Sequence, residues 1–74
     1  MPEGKSQRQM GLEAANEVFA ASIITIFKVL GENLIVARDE SDKQSAADRA
    51  KKGVNLAQKT LAECINLANS LPEK

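Results

Sequence analysis

Histidine, tryptophan and tyrosine are missing from the 74 residues, and cysteine occurs once. Each absence removes a class of chemistry. Without histidine there is no general base poised near neutral pH, and a zinc site would have to rest on one thiolate plus carboxylates. Cys64 has no second cysteine for an internal disulfide and no imidazole to activate its thiol. With no glycine-rich phosphate loop and no paired nucleophile and base, we assign no catalytic residue, no cofactor and no metal ligand, and read the chain as a non-enzyme.

Aromatic residues are limited to Phe19 and Phe27. No aromatic therefore interleaves with cations to stack on bases. Strict alternation of apolar and polar residues is lacking, as are Asn-Gly and Asp-Gly dipeptides, which argues against strands and hairpin turns. Charge of one sign is lacking too, with Lys+Arg 10 against Asp+Glu 10. No global field draws the chain to nucleic acid or an anionic membrane. The residues through Glu40 carry four basic against six acidic side chains, a net of −2, which leaves +2 for the rest. That mild dipole favours antiparallel packing. The N-terminal "MPEGKSQRQMG" is polar and carries acid, unlike a signal or transit peptide, so a cytoplasmic setting is expected.

What is present is helical periodicity. Ser6 to Gln9 fits a capping box, and beyond it Leu12, Ala15, Phe19, Ile23, Ile26, Leu30, Leu34 and Ala37 recur at spacings of three and four. Ala20, Ile24, Phe27 and Ile35 flank that stripe on one side, and Val18, Val29 and Val36 on the other. The first helix is thus apolar over more than half its circumference. A second seam of Ala47, Ala50, Val54, Ala57, Leu61, Cys64, Ala68 and Leu71 keeps heptad spacing, with small residues that let helix axes approach closely.

Neither Gly nor Pro separates the two seams, so the question is whether one helix runs through. At about 100° per residue a continuous helix would set the stripes on nearly opposite faces, useless against one partner. Ser41 to Gln44 offers a second capping box, with Asp39, Glu40 and Asp42 suited to a helix N-terminus. The expectation is a single domain over residues 1–74, an all-α two-helix antiparallel hairpin: helix 1 about 6–38, a turn about 39–42, helix 2 about 42–71. Gly31 and Gly53 are expected at close helix crossings, and Gly11 in a loose first turn.

The two arms are unequal. Helix 1 has twelve large apolar residues, whereas helix 2 offers only Val54, Leu56, Leu61, Ile65, Leu67 and Leu71 as cover. Each large side chain left in water forfeits roughly 1.5–3 kcal/mol. The expectation is a homodimer forming a four-helix bundle, with Phe19, Ile23, Ile24, Ile26, Phe27, Leu30, Leu34 and Ile35 at the oligomer or partner interface. Such an object acts by binding an as yet unknown protein partner, as a small adaptor, chaperone-like, inhibitor or regulatory module. The alternative is a nucleic-acid-binding dimer that uses Lys43, Arg49, Lys51, Lys52 and Lys59 on helix 2; Asp48 and Glu63 interrupt that face, and it is the less favoured reading. A membrane span is not expected, because the apolar run 18–30 is short and its extension brings in Lys28, Glu32 and Asn33.

Overall fold

A computed structural model describes residues 4–73 as two helices, α1 (Gln7–Val36) and α2 (Glu40–Asn69), each of 30 residues. They pack along their whole length as an antiparallel hairpin. Ser6 starts α1: its backbone is extended and its hydroxyl accepts from the Gln9 amide at 3.1 Å. Only half of the expected capping box forms, since the Gln9 side chain donates to Glu13 instead of reaching back to the cap.

The turn is shorter and earlier than the sequence suggested. It occupies Ala37 to Asp39, and Asp39, not Ser41, caps α2, its carboxylate accepting from the Asp42 amide at 2.9 Å. A carboxylate suits that place because free amides and the positive end of the helix dipole both face it. Asp42 answers by accepting from the Arg38 amide at 3.2 Å. Ala37 and Asp39 are both extended, and among the described residues no backbone enters the left-handed region, which is how the chain reverses without glycine.

The helices meet in one unbroken antiparallel register. At the open end the Arg8 amide donates to the Pro72 carbonyl at 3.1 Å and its guanidinium to the Leu71 carbonyl at 3.3 Å. All eight residues of the α2 seam are buried or half-buried, and on the facing stripe of the first arm so are Leu12, Ala15, Phe19, Ile23, Ile26, Leu30 and Ala37. Leu34 departs from its expected stripe and is exposed. Two successive steps of four residues from Ile26 rotate it about 80° away from α2.

Glycine placement needs a second correction. A Cβ on Gly53 would lie 3.2 Å from Ile26, and one on Gly11 would lie 3.0 Å from the Ala68 Cβ, so both mark close crossings. Gly31 does not: a Cβ there would meet nothing within 4 Å. The hairpin is a single layer, 56 × 23 × 7 Å across its Cα atoms, and among the described residues the buried hydrophobic ones are Ala15, Ala46 and Ala68. Alanine contacts hold the helices close but remove little area from water.

Candidate functional site

A one-layer hairpin can cover one stripe of each helix. The rest of α1 stays open, and that open surface is the candidate site. Of the eight residues expected at an interface, Phe19, Ile23, Ile26 and Leu30 turn towards α2 and are half-buried within the chain. The structure separates from them Ile24, Phe27, Leu34 and Ile35, which are exposed at 57%, 56%, 40% and 83%. Val18, Val29 and Val36 are exposed on the other flank. Helix 2 covers less than its composition promised, because Leu56 and Leu67, counted as cover, face solvent at 66% and 68%. Their place off the α2 heptad seam was the signal for this.

On one side of the hairpin the two helices enclose an open apolar groove of about 590 Å³, with Val18, Ser22 and Thr25 from α1 and Gly53, Leu56 and Thr60 from α2 among its lining residues. Small residues, Ala15, Ala21, Gly53 and Ala57, also line it. A smaller hollow of about 250 Å³ lies further along, bounded by Thr25, Val29, Asn33, Ala46 and Arg49. Cys64, half-buried, also lines the larger groove. Neither hollow gathers charged side chains that could do acid-base work.

Polar groups cluster elsewhere. At the N-terminal end of α1 the Lys5 ammonium lies 2.6 Å from Glu13. The hydrogen bond from Lys5 holds the Glu13 carboxyl below the ordinary glutamate value against an opposing desolvation cost, and the Lys5 charge and the Gln9 amide add smaller contributions. Among the described residues no three His, Cys, Asp or Glu side chains come together as a cation site. Lys43, Arg49, Lys51, Lys52 and Lys59 are all exposed, but they do not share one face. Arg49 and Lys51 point about 160° apart round the helix. Lys43 spends its charge on Glu40 at 3.6 Å, and Arg49 edges the smaller hollow.

By length and composition α1 is also able to cross a membrane, with an 18-residue window of mean hydropathy 1.7 and none of that window buried. Length therefore no longer argues against a span. Lys28 and Glu32 still stand on the apolar stretch. No protein-family model, curated protein or solved structure matches the chain.

Proposed function

We propose that this protein is a non-enzymatic protein-interaction module that self-associates through α1, two hairpins joining as a homodimer of four helices. The observation that carries the reading is the exposure of Ile24, Phe27, Leu34 and Ile35 along one helix. Fully burying a large apolar side chain is worth roughly 1.5–3 kcal/mol, of which each of these residues would gain the share still open to water, and contiguous patches of this kind mark binding surfaces. Unfolding of such a dimer is tied to protein concentration. With about 2.1 cal/mol/K of unfolding entropy per residue over two chains, a tenfold dilution lowers the thermal midpoint by about 4–5 °C. Sedimentation equilibrium and melts across a concentration series test this. A compact, fully helical 8.0 kDa monomer with one melting point at all concentrations refutes it.

A second reading follows from the same exposed, apolar helix: α1 inserts into lipid. Partition into neutral vesicles, with loss of the α1 to α2 contact, would favour it. Retention of the dimer in the aqueous phase would reject it.

A further inference from the structure

The face of α1 turned away from α2 carries a seam of its own. Met10, Ala14, Glu17, Ala21, Ile24, Lys28, Gly31 and Ile35 alternate steps of four and three without a fault, which at about 100° per residue keeps them on one side. None of them is buried in the hairpin. Two charges interrupt this seam, and among the described residues neither Glu17 nor Lys28 forms an ion pair within the chain.

The order of the seam reads the same from both ends once size and charge are exchanged. Laid antiparallel on itself about its middle, it sets Glu17 opposite Lys28, Ile24 opposite Ala21, Ile35 opposite Met10 and Gly31 opposite Ala14. Each pairing occurs twice, as a two-fold axis requires. A parallel arrangement would instead place Glu17 on Glu17 and Lys28 on Lys28. Gly31 adds a separate observation. A glycine inside a helix costs about 1 kcal/mol, and no neighbour within the hairpin needs the space it leaves. Against a second copy, Gly31 and Ala14 permit close approach near both ends of the seam.

We infer that the occupant of this face is a second copy of the same chain, bound antiparallel with Glu17 paired to the partner's Lys28. The inference rests on the homodimer reading above and adds its orientation and register. The two α1 helices form the centre, each α2 stands outside, and Phe27 flanks the seam within reach of the partner's Ala20.

The test is charge exchange in the full chain, read by sedimentation and by helical circular dichroism. Glu17→Lys and Lys28→Glu each turn two attractions into two repulsions, so each raises the dimer dissociation constant about tenfold or more while helicity persists. The double exchange, Glu17→Lys with Lys28→Glu, rebuilds both pairs and returns the constant to the wild-type value. If the wild type dimerises and the single variants match it, the antiparallel register is wrong and the homodimer stands. Weak single variants that the double exchange does not rescue also overturn the pairing. A monomeric wild type removes the homodimer reading itself.

Discussion

Adding one methyl group at Gly11 or at Gly53 probes the hairpin at two crossings with opposite expected results. Both changes gain about 1 kcal/mol of helix propensity, so any difference between them comes from packing. At Gly11 the new Cβ arrives 3.0 Å from the Ala68 Cβ and 3.7 Å from its Cα. Alanine has no side-chain torsion with which to yield, and Ala68 is only 3% exposed. Relief has to come from separating the helices at the end tied by Arg8 to Leu71 and Pro72. Overpacking of that kind costs about 1–3 kcal/mol, which after the propensity gain leaves Gly11→Ala about 0–2 kcal/mol less stable than the parent. At Gly53 the contact is with the end of Ile26, Cδ1 at 3.2 Å and Cγ1 at 3.3 Å. A few tenths of an ångström of Ile26 torsion relieve it, at about 0.5–1.5 kcal/mol, so Gly53→Ala stays within about 0.5 kcal/mol of the parent. Urea melts followed by far-UV circular dichroism, at one fixed protein concentration, measure both. The refuting result is Gly11→Ala equal to or more stable than Gly53→Ala, which would mean that the open end is not closed as described.

Two further outcomes follow from polar contacts. Asp39→Ala removes the α2 cap and costs about 1 kcal/mol, whereas Ser41→Ala, inside the first turn, changes stability by less than about 0.5 kcal/mol; equal losses would return the cap to Ser41. Because the folded-state pKa of Glu13 is lowered by Lys5, its contribution to stability is present above the ordinary glutamate value and is lost as pH falls through the lowered one. A carboxyl titration by NMR should show Glu13 protonating below the ordinary glutamate range, and Lys5→Ala should raise it towards that range.

The sequence disclosed the helical hairpin because its two apolar stripes obey helical spacing yet cannot lie on one face of one rod. The α2 seam was legible at all eight expected positions, since its steps of three and four never drift, but Ala46, one position before its first residue, was missed and is buried. The α1 stripe was legible as far as Leu30, where consecutive steps of four carry Leu34 off the contact. The cap was misplaced because Ser41 and Asp39 both satisfy the local pattern, and only the backbone decides which residue lies outside the helix. Glycine meaning was the least legible: Gly11 and Gly53 become spacers only when Ala68 and Ile26 arrive from the other helix, and nothing local separates them from Gly31. The interface list mixed inward and outward residues for the same reason, since Ile23 and Ile24 differ by one position and about 100°.

The unbroken register has a consequence for the order in which the chain organises. Contacts between the helices range from neighbours across Ala37 to Asp39 out to Arg8 and Glu73, which lie 65 residues apart and 2.7 Å from each other. Chain entropy charges for every loop closed, and the charge grows with length. Starting at the turn, each further pair encloses only a few more residues beyond those already fixed, so no step has to search across the whole chain. Starting at Arg8 and Glu73 would demand that search before any other contact helps. The hairpin is therefore built to close like a zipper from its three-residue bend, with the Asp39 and Asp42 carboxylates holding the first teeth together and the Arg8 contacts closing last.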